Sequence, residues 1–226
     1  MARYDRRTLI VLSFTLVVVT LGYGLVIPIF PFYIEKLGGS GGELGMLVAL
    51  SALTELLFGP LWGCLSDRVG RKRVLLVGVF GYGASLLLMG FASRLWMLFA
   101  ARALSGMLTA ATMPSAMAYV GDATSEEDRG GGIGWLGSAA GLGIILGPGV
   151  GGWLGHNSLS VPFFVGAGLA WSALLFVALF LPEALPSPSD PGQEKGHSLR
   201  LGRIRDALSS PIGFPLFLLF LVSFAL

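Results

Sequence analysis

The chain reads as an all-α membrane protein, a bundle of six spanning helices followed by the start of a seventh, and three observations predict this. Hydrophobic residues make up 54% of the sequence, charged residues only 12%, and the mean hydropathy is +0.78. An ordinary soluble domain carries about 25% charged residues to cover its surface. The charges fall in short clusters, and the apolar runs between them are about 20 residues long, the length needed to cross hydrocarbon. The 34 glycines sit largely inside those runs, where they suit helices that pack backbone to backbone. A single cysteine, Cys64, excludes an intramolecular disulfide framework and a Cys-based zinc site, and reads as a small core residue.

Cutting the sequence at its charges yields the elements in order. Leu9–Ile34 is uncharged, Leu44–Ser66 holds one charge, Glu55, and Val74–Ser93 is uncharged. Leu95–Gly121 holds only Arg102, while Gly130–Gly155, Leu159–Pro182 and Ala207–Leu226 hold none. The first run follows Arg3, Arg6 and Arg7, as a signal peptide would, but it is too long for an h-region and lacks a small-residue cleavage site. It is expected to be retained as a spanning helix. With a cytoplasmic N-terminus, nearly every Lys and Arg between spans falls on the inner side, and only Lys36 and Arg94 fall outside. That asymmetry predicts the orientation. Residues 1–182 therefore form a six-helix transmembrane domain, and 183–206, rich in Pro and Ser, a cytoplasmic linker with a basic amphipathic turn at 199–206. Residues 207–226 are the start of a seventh helix. Because it stops at Leu226 without closing polar residues, the chain reads as truncated there.

Four short strings carry the functional information. Between the second and third spans the sequence reads Gly63-Cys64-Leu65-Ser66-Asp67-Arg68-Val69-Gly70-Arg71-Lys72-Arg73. Its glycines permit a tight turn at the membrane face, and Asp67 and Arg71, four apart, can face each other. The positive-inside bias alone accounts for Lys72 and Arg73, but not for an acid flanked by two glycines. In the fifth span, Gly143, Gly147 and Gly151 recur every four residues and so share a face open to close helix approach. Pro148 in the same span removes a backbone donor and introduces a kink. The first span contains Leu21-Gly22 followed by Pro28 and Pro31, a break near its outer end, and the fourth contains Arg102-Ala103-Leu104-Ser105-Gly106.

The first of these strings closely resembles the signature loop of the major facilitator superfamily, G-x-L-x-D-R-x-G-R-K/R. The Gly143–Gly152 stretch matches the antiporter motif G-x-x-x-G-P-x-x-G-G in full, and the first-span string is similar to the L-G-x-x-x-x-x-P-x-x-P of twelve-helix drug/proton antiporters. The fourth-span string matches R-x-x-Q-G-x-G only in part, with Ser105 and Leu108 at the departures. The resemblance covers essentially the whole chain and is strongest to tetracycline-type and multidrug efflux pumps. It implies the N-terminal half of a transporter, two inverted three-helix repeats with a substrate site near the midplane facing a second half absent from this chain. It further implies a conformational latch of Gly63, Asp67, Arg68, Gly70 and Arg71, with Asp122 as the fourth-span partner of Arg71. Gly143, Gly147, Pro148, Gly151 and Gly152 would form a hinge that limits leak, and Gly22, Pro28 and Pro31 the motif of the first span.

Glu55 and Arg102 are the acid and base placed well inside spans. On insertion scales each costs about 2.5–3.5 kcal/mol at a helix centre, so neither is expected to face lipid. Arg102 suits a proton relay, with outward snorkelling or carbonyl binding as the plainer alternatives. Glu55, near the midplane, suits the coupling acid of an antiporter, since a cavity opening alternately to each side lets it exchange protons. The alternative is a structural partner for a base in the second half.

No His/Cys metal cluster and no phosphate-binding glycine loop after a strand is present in the sequence, so an enzyme, a cofactor and ATP-driven transport are not expected. The reading is a secondary transporter of the plasma (inner) membrane, exchanging a lipophilic or cationic small molecule for protons. Its partners are substrate, protons, lipid and the missing half, and not nucleic acid. Two alternatives stand: a facilitator or symporter that imports a sugar or metabolite, and a half-bundle that transports nothing by itself.

Overall fold

The computed structural model of the chain describes residues 6–123, 126–156 and 158–182. The chain divides into two compact units, Met1–Ser187 and Pro188–Leu226, and all described residues belong to the first. The linker expected at 183–206 and the seventh segment at 207–226 lie outside the described residues. The described residues form eight helices: α1 (Arg6–Val26), α2 (Phe30–Lys36), α3 (Gly41–Val69), α4 (Arg71–Gly90), α5 (Leu95–Thr109), α6 (Thr112–Ala123), α7 (Glu126–Gly155) and α8 (Val161–Phe180). Among the described residues six segments are long and apolar enough to cross a membrane, with α5 and α6 together making the fourth.

Two spans are broken, each for a reason written in its prolines. Pro28 and Pro31 have no N–H and crowd the carbonyls four residues before them, so α1 stops at Val26. The Ile29 N–H bonds Val26 O at 3.1 Å instead, and the Tyr33 N–H bonds Ile29 O at 2.9 Å as α2 begins. In the fourth span Pro114 acts in the same way on Ala110, one turn earlier. The apolar run hides this break, which the sequence reading carried as one uninterrupted helix.

The stretch 63–73 is not a loop, as the sequence reading had it. Residues up to Val69 continue α3, and Gly70 alone, at φ 108°, joins it to α4. In a membrane the backbone must satisfy its own hydrogen bonds, so the helix runs as far as it can. It turns at the one residue that adopts a positive φ without a Cβ penalty. At the other end of α3 the Glu43 carboxylate accepts from the Ser40 N–H at 2.8 Å and from the Ser40 hydroxyl, capping the first turn.

The helices pair in a pattern with its own symmetry. The first span packs on the fifth and sixth, the fourth on the second and third, and the third on the sixth. Exchanging spans one to three for spans four to six maps this set of pairings onto itself. Three crossings separate equivalent spans, which therefore run in opposite directions. The broken spans, first and fourth, are equivalent as well, and the bundle is two inverted three-helix repeats.

Its core holds Tyr82, Phe163, Leu12, Leu16, Leu25 and Leu98, each almost wholly buried. Polar side chains inside it return their hydrogen bonds to the helix that carries them: Thr15, Thr20 and Thr109 donate to carbonyls one turn back at 2.7–2.8 Å. Tyr33 donates to Met89 O at 3.0 Å and Ala92 O at 3.1 Å, tying α2 to the end of α4. Outward faces are as apolar as the core, with Leu56, Leu57, Ile145 and Trp153 all more than half exposed. The chain is a multi-pass integral membrane protein.

Candidate functional site

Two side chains of opposite charge stand inside the membrane region, and their environments differ. Arg102, on α5, is 6% exposed. Its guanidinium carbon lies 5.1 Å from the Tyr23 ring centre and 4.8 Å from that of Phe30. It therefore does not snorkel to the outer surface, the plainer alternative left open above. Among the described residues it forms no ion pair, and its Nε has no hydrogen-bond partner. Stacking on two ring faces offsets part of the desolvation cost, with such contacts worth about 2 kcal/mol or more when water is excluded. Tyr82 is stacked on Tyr23, with ring centres 6.4 Å apart, and extends its hydroxyl over Gly22. A Cβ on Gly22 would sit 2.7 Å from that oxygen, which is a physical reason for glycine at this position.

Glu55 is exposed on α3. Its place relative to Arg102 is set by one tight helix contact. Gly106 presses against Ser51 and Thr54, where any Cβ would collide with the Thr54 hydroxyl and the Ser51 carbonyl. Glu55 follows Ser51 by one turn, and Arg102 precedes Gly106 by one turn. Along the helix axes the two residues thus lie on opposite sides of that contact, Glu55 beyond it and Arg102 before it. One charge is sheathed in aromatic rings while the other lies on an open face.

At the junction of α3 and α4, Asp67 and Arg71 form an ion pair across the Gly70 turn. Arg71 Nη1 also donates to Ser66 Oγ at 3.4 Å. Arg68 is exposed, and Gly63 lies within α3 with nothing near its face, so it makes no turn. Asp122 belongs to α6, and its side chain lies outside the described residues. Lys72 reaches across to donate to Ala178 O at 2.9 Å, placing an ammonium at the negative end of the α8 dipole.

The glycines of α7 divide by face. A Cβ on Gly147 would lie 2.5 Å from Gly24 Cα and 2.8 Å from Leu21 O, and one on Gly143 would lie 2.5 Å from Val17 O. Gly151 presses on the backbone of Leu25 in the same way. These three form a seam of direct backbone contact with α1. Gly152 has nothing within 4 Å and belongs to the open face. Pro148 stays within α7, which continues through it, and Pro148 Cδ would lie 3.0 Å from a Cβ on Gly24. Pro28 occupies the break of the first span and Pro31 the first turn of α2.

The sequence reading did not single out Trp62, Ser66 and Ser115 as side chains that join α3 to the fourth span, and it assigned no individual role to Tyr23 or Phe30. The rings lie on a different span from Arg102, so no spacing rule connects them to it.

Inverted three-helix repeats, breaks in the two equivalent spans and an arginine buried among aromatic rings are the features of a half-bundle of the secondary-transporter kind. The chain belongs to the Major Facilitator Superfamily, whose family model matches residues 12–226. It is 36% identical over 217 residues to Multidrug resistance protein 1 of Bacillus subtilis, covering 96% of this chain and 54% of that protein. It is 38% identical over 179 residues to the class B tetracycline resistance protein of Escherichia coli, covering 78% and 44%. Among solved structures, the human organic anion transporter MFSD10 matches with a TM-score of 0.73 at 26% identity, covering 82% of this chain and 51% of that one. The chain spans about half the length of the curated relatives it matches.

Proposed function

We propose that the chain is the N-terminal half of a proton-coupled antiporter that exports lipophilic or cationic small molecules by alternating access. It would sit in the plasma (inner) membrane with its N-terminus in the cytoplasm. The observation that carries this reading is the unequal treatment of the two intramembrane charges: Arg102 is sheathed by Tyr23 and Phe30, while Glu55 lies on an open face. A carboxylate on an open face within the membrane can take up a proton or meet a cationic substrate, but not both at once. That competition is the simplest device for exchange. The names of the relatives, multidrug and tetracycline resistance proteins, support export of foreign compounds.

The latch and hinge follow from the same reading. Asp67 and Arg71 are partly exposed, and such pairs contribute only about 0.2–1 kcal/mol. A contact that weak suits an element that must open and close in each cycle. Gly143, Gly147 and Gly151 let α7 slide or rock on α1 without side chains to unlock. Everted vesicles test the coupling. Substrate added to vesicles with an acidic interior should release the acidity, and Glu55→Gln should abolish that release while substrate still binds. Unchanged release in Glu55→Gln removes Glu55 from the mechanism, and no release in the parent protein removes antiport. A second reading, export of an organic anion, is favoured by the absence of an ion-pair partner for Arg102 among the described residues and by the similarity to MFSD10.

A further inference from the structure

The break in the fourth span displaces a backbone hydrogen bond. In a continuing helix the Ala111 N–H would bond Met107 O, but it bonds Leu108 O at 3.2 Å. An unpaired carbonyl inside a membrane costs several kcal/mol. Met107 O accepts instead from the indole Nε1 of Trp62 on α3, at 2.6 Å. On the far side of the break, the Ser115 hydroxyl donates to the Ser66 hydroxyl at 3.3 Å, and both serines are 1% exposed. Trp62 and Ser66 are four residues apart and share a face of α3. Met107 and Ser115 stand on opposite sides of the Ala110–Ala111 break. One face of one intact helix therefore holds both pieces of the broken span.

We infer that α3 splints the fourth span across its break, and that Trp62 is the positioning residue, holding the Met107 carbonyl while Ser66 supports the far piece. The splint rests on the fold alone and is independent of the direction or coupling of transport. Because α3 runs on from Trp62 through Asp67, the splint also ties the break to the Asp67–Arg71 pair.

Trp62→Phe keeps the ring and removes the N–H, and Pro114→Ala supplies the N–H that Ala110 O lacks, so that the helix can run on through the break. Hydrogen exchange of the Met107–Ser115 stretch, followed by mass spectrometry on the protein in detergent, reads the effect. Trp62→Phe should speed exchange there about tenfold, as expected when a buried acceptor loses its partner. In the Pro114→Ala background, where the Ala111 N–H can return to Met107 O, the same change should alter exchange by less than about twofold. Turnover in cells should fall with KM unchanged, a split that general loosening of the bundle would not produce. Ser66→Ala, a milder change, should raise exchange in the same stretch, with any further change confined to the Arg71 junction that the same hydroxyl serves. Exchange unchanged by both Trp62→Phe and Ser66→Ala, or raised equally with and without Pro114, overturns the splint.

Discussion

Replacing Gly147 with alanine adds one methyl group to the place where α7 and α1 touch by backbone. The new Cβ would lie 2.5 Å from Gly24 Cα, 2.7 Å from Gly24 C and 2.8 Å from Leu21 O. Carbon atoms come to rest at about 3.5–4.0 Å, so α7 must retreat from α1 by roughly 1 Å or more. The three nearest atoms all belong to the backbone of α1, so no side chain can swing aside to relieve them. A radial gap of about 0.5–1 Å forfeits a quarter to a half of the dispersion energy along the contact. Overpacking of this kind costs about 1–3 kcal/mol. Gly152→Ala is the matched control, because nothing lies within 4 Å of its face. Thermal unfolding in detergent should therefore place Gly147→Ala clearly below the parent protein and Gly152→Ala within about 0.5 kcal/mol of it. Transport should follow the same order if the seam is where the bundle moves. Equal losses in the two variants, or none in Gly147→Ala, would refute the idea that close backbone approach sets the requirement for glycine.

Other perturbations separate the roles of the signature stretch. Gly70→Ala forces a Cβ into a positive-φ conformation at a cost of about 1–2 kcal/mol, whereas Gly63→Ala, in an open stretch of α3, should gain about 0.5–1 kcal/mol of helix propensity. Paired melting curves check the opposite signs, and a stabilised Gly70→Ala would show that the turn is not where the backbone needs glycine. Asp67→Asn removes a pair worth about 0.2–1 kcal/mol, so stability should barely change while the inward–outward balance moves by at most about fivefold. Cysteine labelling from both membrane faces reads that shift, and identical labelling in the variant would refute the latch.

What the sequence made legible was whatever depends on one segment at a time. Apolar run length marked the spans because hydrocarbon thickness is fixed. Pro28 and Pro31 marked the first break because two missing donors fall together near the end of a run. Four-residue spacing put Gly143, Gly147 and Gly151 on one face whatever lay opposite. The features that stayed hidden depend on two segments at once. The break at Ala110–Ala111 was masked because its single proline sits in a long uncharged stretch, between Arg102 and Asp122. Arg102 revealed its need for compensation but not its source, since Tyr23 and Phe30 come from the first span. The Gly63–Arg73 string was read as a loop because its polar residues looked like solvent-facing chain. Low dielectric surroundings favour keeping the helix intact to Gly70.

The two breaks show how one topological requirement is met by different chemistry. The first and fourth spans occupy equivalent positions in the inverted repeats, and each is interrupted by proline. An interrupted helix in a membrane has freed carbonyls and a weakened axis, so something must hold its pieces in line. At the first span the holder is steric: Gly147 and Gly151 bring α7 against Gly24 and Leu25, just before the break. At the fourth span the holder is polar: Trp62 and Ser66 reach Met107 and Ser115 on either side of the break. A steric seam permits rocking with little change in energy until atoms collide, whereas a hydrogen bond to a freed carbonyl is lost steeply with displacement. The first span is thus the freer of the two joints and the fourth the more strongly registered. Because α3 also carries Asp67, the firmer joint and the Asp67–Arg71 pair are held on one continuous helix.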